Sequence, residues 1–303
     1  MLLSEQLLFC LSKRLYRTEI AHSAEMKDAL KDTAKHEAYR AAQIQRVIAA
    51  ADQYGVDFRD KDVLDLGCGD GALSAQFLTH GASKLIGVDV DTGCVERARE
   101  INAGQPAEFC VCSSTKLPLD NECVDTIVSF DVFEHVSRPC TVLAECLRVL
   151  RPGGKMLIGT WGWHNPFAPH LWATMPVPWA HVFFSERTVL RTCRRVFHAP
   201  WYVPNQSDLD ENGCKLKEKF DYVAISSDYL NKFLLSDFKQ AFRDAGFEAA
   251  MHLLPFSSRW ARWTKPLLHV PFLREFTHAY FWAVLTKPAA IASRTLPSEA
   301  RFN

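Results

Sequence analysis

The chain has 303 residues, 35 Lys and Arg balanced by 35 Asp and Glu, and 48% hydrophobic residues. These values exclude a disordered chain, a collagen-like repeat and a nucleic-acid binder that depends on overall positive charge. The aromatic residues are unevenly distributed, with nine in residues 1–160 and 26 in residues 161–303, so we expect two halves with different roles.

The N-terminal segment has leucines at positions 3, 7, 8, 11 and 15, a helical spacing that predicts an amphipathic helix. It lacks the basic start of a signal peptide, and no apolar run approaches the ~18–20 residues that span a bilayer. A cap over a binding site, a homodimer contact and a membrane contact all remain open for this helix.

From residue 62 onward, short apolar runs alternate with helical stretches, a pattern typical of a parallel sheet covered by helices. The predicted strands are Val63–Leu66, Lys84–Asp89, Ala107–Cys112, Thr126–Ser129 and Lys155–Thr160. The predicted helices are Gly71–His80, Thr92–Asn102 and Arg138–Leu150. Arg151–Gly154, with a Pro and two Gly, is expected to end the last helix. The pattern predicts a doubly wound α/β core.

The flanking regions differ from this core. Residues 24–54 predict a helical lead-in, 161–204 a loop-rich aromatic stretch, and 234–246 a helix. Further on, the predicted elements are a strand (Phe247–Leu254), a Pro-interrupted helix (Trp260–His278) and a last strand (Tyr280–Thr286). We therefore expect a helical cap (1–60), an α/β core (61–160), an aromatic acceptor-pocket or lid insertion (161–219), closing elements (220–290) and a flexible tail (291–303).

The turn after the first predicted strand carries the clearest chemical signal. Gly67 and Gly69 let backbone approach a ligand closely, and the helix that follows offers unpaired N–H groups. Asp89 ends the second strand, where such folds place a ribose-binding carboxylate. Ala72 completes a dinucleotide fingerprint, which leaves an NAD-type oxidoreductase open. Asp65 favours a ligand with an ammonium group over a pyrophosphate.

Several motifs together resemble the class I S-adenosylmethionine-dependent methyltransferases, in the branch that acts mostly on small molecules, lipids and quinones. They are Val63–Ala72, Gly87–Asp89, Leu117-Pro118, Val124–Val136 and Leu150–Gly154. The resemblance implies a Rossmann-like, mostly parallel seven-stranded sheet with N-terminal helices and an aromatic insertion after the fifth strand. It also implies S-adenosyl-L-methionine as the cofactor.

The resemblance also implies a set of cofactor-binding residues: Asp65, Gly67, Cys68, Gly69, Gly71, Asp89, Val90, Ser113, Ser114 and Phe130. Asp65 and the glycine turn would hold the methionine portion, Asp89 the ribose and Val90 the adenine. Phe130 would lie next to the methyl group. Ser113 replaces an Asp that commonly contacts the adenine amine, so that contact falls either to its hydroxyl or to the backbone at Ser114.

If the acceptor is a hydroxyl, a histidine is the expected general base, and the candidates are His135, His164 and His170. His135 has a structural reading as well. The candidate acceptor pocket comprises Trp163, His170, Trp172, Trp179 and His181, which follow the fifth strand where it meets the ligand crevice. Ordinary core packing of these aromatic residues remains open. The spacing of the histidines matches no helical ligand pair, so we expect no metal.

The ten cysteines form no CxxC pair and mostly lie in apolar runs, which favours free thiols in a reducing cytoplasm. The sequence thus predicts in-line methyl transfer to a small-molecule or lipid-like acceptor, with oxygen as one candidate atom, and no nucleic-acid partner. The alternatives are non-methyl chemistry on the same cofactor, an NAD-type oxidoreductase and a catalytically silent binding protein. Arg187, Arg191, Arg194 and Arg195 lie on a predicted helix after Ser185 and form either a solvated face or an anion-recognition cluster.

Overall fold

The computed structural model describes residues 3–16, 33–171, 174–204, 208–210, 214–216, 230–256 and 261–289. The chain forms two compact units. The sheet unit comprises the described residues of Val47–Thr160, Leu235–His252 and Phe281–Asn303. The aromatic unit comprises those of Met1–Arg46, Trp161–Leu234 and Leu253–Tyr280. The five-segment division of the sequence stays a prediction, and its tail lies outside the described residues.

Seven strands form one sheet in the order β3-β2-β1-β4-β5-β7-β6. They are β1 (Asp62–Leu66), β2 (Lys84–Asp89), β3 (Ala107–Val111), β4 (Val124–Phe130), β5 (Leu150–Thr160), β6 (Glu248–Leu254) and β7 (Tyr280–Thr286). Strands β1 to β5 pair in parallel, and β7 is antiparallel to β5. The predicted α/β, mostly parallel seven-stranded sheet is confirmed. The strand order reverses between β1 and β4, which is where doubly wound sheets open a ligand crevice.

Ten α-helices are described: α1 (Leu3–Leu15), α2 (Thr33–Tyr54), α3 (Ala75–Thr79), α4 (Thr92–Ile101), α5 (Pro139–Val149), α6 (Ala180–Phe183), α7 (Glu186–Phe197), α8 (Leu235–Asp244), α9 (Ala261–Thr264) and α10 (Arg274–Thr277). Two 3₁₀ turns, Phe133–His135 and Lys265–His269, complete them. In the part of the chain that the structure describes, no helix is long and apolar enough to cross a bilayer.

The central strands β1, β2 and β4 are near-continuous apolar runs and are mostly buried, as expected for parallel strands covered on both faces. In β1 every residue after the first is buried, and Val63 and Leu64 are fully so. Helix α4 begins where the Asp91 side chain accepts the N–H of Cys94 at 2.8 Å, so an acidic cap fixes the entry to this helix right after β2. These elements place the ends of β1 and β2 side by side.

Two predicted boundaries are wrong in an informative way. Helix α5 ends before Arg151, as predicted, but β5 begins at Leu150 rather than at Lys155. Arg151–Gly154 lies inside this strand, since Gly153 N–H donates to Lys287 O and Lys287 N–H to Gly154 O, both at 2.9 Å. The pairing of β4 with β5 shifts register at this point. The predicted helix from Gly71 begins only at Ala75, since the preceding residues form the turn after β1.

The aromatic unit contains the helix predicted after Ser185. This is the twelve-residue α7, whose first turn is capped by Ser185 Oγ accepting Thr188 N–H at 3.3 Å, and it is preceded by the short helix α6. The predicted Trp260–His278 helix is divided into α9, a 3₁₀ turn and α10. Of the predicted lead-in, residues 24–32 lie outside the described part, and α2 accounts for the rest.

Candidate functional site

The turn after β1 is anchored on β2 by backbone hydrogen bonds. Gly67 and Cys68 donate their N–H groups to Val88 O at 2.8 and 3.1 Å. Gly67 has φ +82°, and a Cβ at this position would lie 2.3 Å from Val132 Cγ2. Glycine is therefore required at this position both by backbone conformation and by the close approach of Val132.

Asp89, the last residue of β2, has its carboxylate fixed by two backbone donors. Gly69 N–H donates to Oδ2 at 2.9 Å, and Asp91 N–H donates to Oδ1 at 3.0 Å. An ionised carboxylate offers about four acceptor sites, so two remain for ligand hydroxyls. The neighbouring Val90 is 61% exposed, which leaves an apolar face beside this acceptor. The pair suits a sugar diol next to a flat ring.

A cavity of about 360 Å³ opens at the carboxyl ends of β1, β2 and β4, within the size range of small-ligand sites. Of the predicted residues, the following line it: Gly67, Asp89, Val90, Ser113, Ser114 and His135. The predicted cofactor-binding residues that do not line it are Asp65, Cys68, Gly69, Gly71 and Phe130. The cavity therefore brings together the predicted sugar and ring contacts with one candidate base.

Asp65 lies beneath the turn rather than in the cavity wall. Its side chain is buried, and Ser74 Oγ donates to its Oδ2 at 2.5 Å. Burial raises the pKa of Asp65 from 3.8 to about 6, and the negative charge of Asp89 adds to the rise against the Ser74 hydrogen bond. A nearby cationic group would oppose this shift, because it favours the charged carboxylate.

The hydroxyl group of Ser113 is already hydrogen-bonded within its own loop. Its Oγ accepts the N–H of Lys116 at 2.9 Å and that of Thr115 at 3.3 Å, and it donates to Lys116 O at 3.3 Å. A hydroxyl has two acceptor lone pairs, so a further donor finds no ready acceptor there. The alternative of a backbone contact at Ser114 is therefore favoured over the Ser113 hydroxyl.

The end of β4 forms the far wall of the cavity. Asp131 adopts φ +54°, and its N–H donates to Gly159 O at 2.9 Å, so the chain turns sharply into the 3₁₀ turn that carries His135. Glu134 is buried, and Thr160 Oγ1 donates to its Oε2 at 2.7 Å, tying this turn to β5. Burial raises the pKa of Glu134. Phe130 stacks on Trp282 with ring centroids 5.8 Å apart.

The other predicted residues belong to the aromatic unit. His181 is neutral near pH 7, because burial lowers its pKa to about 4, and its Nε2–H donates to Trp163 O at 2.8 Å. The Trp179 indole N–H donates to His164 O at 3.1 Å. The ring of His170 lies 5.0 Å from that of Trp161. Trp172 lies outside the described residues.

These aromatic side chains are closely packed within their unit. A cavity lined by His181 and its apolar neighbours measures about 10 Å³, no more than one water requires. His164 stacks on Phe276 at 4.5 Å. The packing interpretation that the sequence left open therefore describes much of this stretch, and its role as an acceptor pocket stays a prediction.

Sequence reasoning missed two residues. Val132 sets the glycine requirement at position 67, and His278 is a fully buried histidine. His278 Nε2 accepts Gly162 N–H at 3.0 Å, while its Nδ1–H donates to Arg274 O at 2.9 Å. Burial lowers its pKa to about 4, so this neutral imidazole links two distant chain segments. Neither contact leaves a local sequence signal.

Residues 64–158 match the family model described as a methyltransferase domain. An uncharacterized methyltransferase of Mycobacterium bovis is 30% identical over 227 residues, which are 75% of this chain and 76% of that protein. One of Mycobacterium ulcerans is 34% identical over 144 residues, 48% of this chain and 54% of its own. The chain thus spans about half the length of that relative.

Among solved structures, a methyltransferase from Galdieria sulphuraria matches with a TM-score of 0.50. Its sequence identity to this chain is 14%, and the match covers 83% of this chain and 87% of the other. At this identity the likeness concerns the fold alone.

Gly67→Ala tests the close approach of Val132. Gly104 has nearly the same φ, +83°, and a Cβ there would meet nothing within 4 Å, so Gly104→Ala carries only the backbone strain, about 1–2 kcal/mol. We expect Gly67→Ala to lose roughly 1–3 kcal/mol more in urea unfolding, because its methyl group meets Val132. In a Val132→Ala background this excess should shrink. Equal losses of unfolding free energy for Gly67→Ala and Gly104→Ala would contradict the role of Val132.

Asp65→Asn tests the buried carboxyl. Since the folded-state pKa is raised, the native protein binds more protons than the unfolded chain between pH 3.8 and about 6, and stability falls as pH rises through this interval. The shift corresponds to about 3 kcal/mol. Asn retains an acceptor for Ser74 and cannot ionise, so denaturant unfolding of the variant should lack this decline. If the unfolding free energies of the parent and the variant changed with pH in the same way, the raised pKa of Asp65 would be refuted.

Proposed function

Since the chain belongs to the class I S-adenosylmethionine-dependent methyltransferases, we propose that it transfers a methyl group to a small-molecule or lipid-like acceptor. An oxygen atom is the first acceptor to test. The observation that carries the proposal is the cavity that Asp89 and His135 share. The cavity is thus lined both by a carboxylate that can bind ribose hydroxyls and by an imidazole that can accept a proton.

The residues of the sheet unit fit S-adenosylmethionine. Asp89 keeps acceptor capacity for the two ribose hydroxyls, and the exposed Val90 offers an apolar surface to adenine. Asp65 is a buried carboxylate whose ionisation a positively charged ammonium would favour. Gly67 allows the turn to pass close to Val132 at the cavity wall, where a Cβ would lie 2.3 Å from Val132 Cγ2. We assign the methionine, ribose and adenine portions to these groups.

When bound, the cofactor supplies an electrophilic methyl group on a sulfonium. In-line displacement then depends mainly on proximity and alignment, so the chain's task is to hold the acceptor and exclude water. Asp131, Val132 and His135 line the cavity at the end of β4. Imidazole is well suited to accept a hydroxyl proton near neutral pH, and we assign that role to His135 before His164 and His170.

The acceptor class rests on the aromatic unit. Trp163, Trp179 and His181 are proposed acceptor contacts, as are His170 and Trp172. Because the cavity lined by His181 is too small for an organic molecule, an acceptor that reaches these residues would lie against their surface. Such contact favours an extended, lipid-like molecule. A cytoplasmic location belongs to the same proposal, supported by ten free cysteines.

Label transfer tests the proposal. The purified protein is incubated with methyl-labelled S-adenosylmethionine and, in separate reactions, with small-molecule, lipid, protein and RNA fractions of a cell extract. We expect the label in the small-molecule or lipid fraction, and its loss with excess S-adenosylhomocysteine. Label in RNA or protein would contradict the acceptor class. S-adenosylhomocysteine binding without transfer to any fraction would favour non-methyl chemistry or a silent binding protein.

His135→Asn tests the general base. With a hydroxyl acceptor we expect kcat to fall by roughly 10²–10⁴-fold, with the Kd of S-adenosylhomocysteine unchanged, because only the proton acceptor is lost. His80→Asn, which changes a histidine at the end of α3 outside the cavity wall, is the matched control. Kinetic assays over a range of pH measure both. Parental kcat in the His135→Asn variant would show that His135 is not the general base.

A further inference from the structure

Helices α1 and α7 of the aromatic unit pack side by side and share one apolar cluster. Leu8 of α1 and Val189 and Cys193 of α7 are buried in it. At the surface, Arg191 Nη1 pairs with Glu5 Oε1 at 3.2 Å, and Arg195 Nη1 donates to Gln6 Oε1 at 2.9 Å. Each helix therefore has one face toward the common cluster and another turned away from it.

The helices also run in the same direction. Glu5, in the first turn of α1, contacts α7, whereas Tyr16, just beyond α1, reaches residues that follow α7: its ring lies 5.1 Å from Trp201, and its OH accepts Val203 N–H at 2.8 Å. The two helices are thus parallel: the first turn of α1 lies beside the middle of α7, and the residues that follow the two helices are neighbours.

The outward face of α1 is apolar near its beginning. Leu3 is 87% exposed and Leu7 is 53% exposed, one helical turn apart. Phe183, three residues before α7, is 74% exposed. Helix α1 therefore has leucines on two faces. Leu8 on the inner face is buried in the common cluster, whereas Leu3 and Leu7 on the outward face are exposed. Large apolar side chains that lie exposed on one face of a helix, as Leu3 and Leu7 do, are typical of an interaction site.

The outward face of α7 is basic. Arg187, Arg191 and Arg194 recur at helical spacing, are exposed and line a shared groove. Lys13 and Arg14 add exposed positive charge in the last turn of α1. Among the residues that the structure describes, Glu5 pairs with Arg191, and Glu186 lines the same groove as the arginines. In a chain whose formal net charge is zero, this is a local concentration of cations.

We propose that this face, which we call the outer face and define by Leu3, Leu7, Phe183, Arg187, Arg191 and Arg194, docks on an anionic lipid bilayer. Apolar side chains that enter the headgroup region and arginines that face anionic lipids are the two requirements of peripheral membrane binding, and both occur here. A nucleic acid would use the arginines and leave the leucines in water. The proposal goes beyond methyl transfer and does not depend on it.

Vesicle co-sedimentation tests the proposal. The full chain is mixed with phosphatidylcholine vesicles or with phosphatidylcholine–phosphatidylglycerol vesicles. We expect binding to the anionic vesicles, weakened by salt, and little binding to neutral ones. Replacing Arg187, Arg191 and Arg194 by Gln should weaken binding roughly fivefold for each charge removed. Leu7→Asp should weaken it as well, since it puts a charge where an apolar group enters the bilayer.

Matched variants of the sheet unit control for net charge and surface polarity. Changing the exposed Arg97, Lys239 and Arg243 to Gln removes the same charge, and Ile101→Asp changes a side chain that is 58% exposed. Both should bind vesicles like the parent, with all variants keeping the parental Tm.

Three results would overturn the proposal. The first is equal binding to neutral and anionic vesicles, and the second is parental binding by the triple Arg variant. The third is a dimer in light scattering that Leu7→Asp dissociates, with no binding to either vesicle, which would assign the outer face to a second copy of the chain. The experiment involves no methyl transfer, so its failure leaves the proposed function untouched.

Discussion

The carboxylate of Asp89 holds the turn after β1 in place. By accepting Gly69 N–H at 2.9 Å, it ties that turn to the end of β2, while its second oxygen accepts Asp91 N–H and aligns the start of α4. The turn can pass this closely because Gly67 lacks a Cβ where Val132 approaches. Three strand ends are thereby joined around one cavity, and the remaining acceptor capacity of one carboxylate faces it.

The same arrangement buries the carboxyl group of Asp65 in the sheet, which lowers the stability of the fold when that group is charged. Asp65 is buried beneath the turn with a pKa raised to about 6, so in the absence of a cationic partner its charge opposes folding near neutral pH. Glu134, which precedes His135 in the 3₁₀ turn, is buried as well, and burial raises its pKa too. Carboxyl groups with strongly raised pKa values are enriched at functional sites, and these two lie on the chain next to the cavity-lining residues Leu66 and His135.

Much of the sheet unit could be predicted from the sequence because its signals are local. Buried parallel strands are apolar runs, and β7 begins and ends where the sequence indicates. The Pro-Gly-Gly segment near residue 153 follows the end of α5, as predicted, but its place inside β5 was not, because its partner Lys287 is far away in the chain. The same holds for Val132 against Gly67 and for Gly162 on His278: a contact across the fold leaves no periodicity. In the aromatic unit, the side chains around His181 are closely packed, and the acceptor pocket that the sequence indicates there stays a prediction.

Calorimetric titration with S-adenosylhomocysteine tests the central claim, that Asp89 binds the cofactor's ribose in this cavity. We predict binding by the parent, a loss of roughly tenfold or more in affinity for Asp89→Asn, and parental affinity for Asp91→Asn, whose new side chain still caps α4. Parental affinity in Asp89→Asn, or no binding by the parent protein, would contradict this claim.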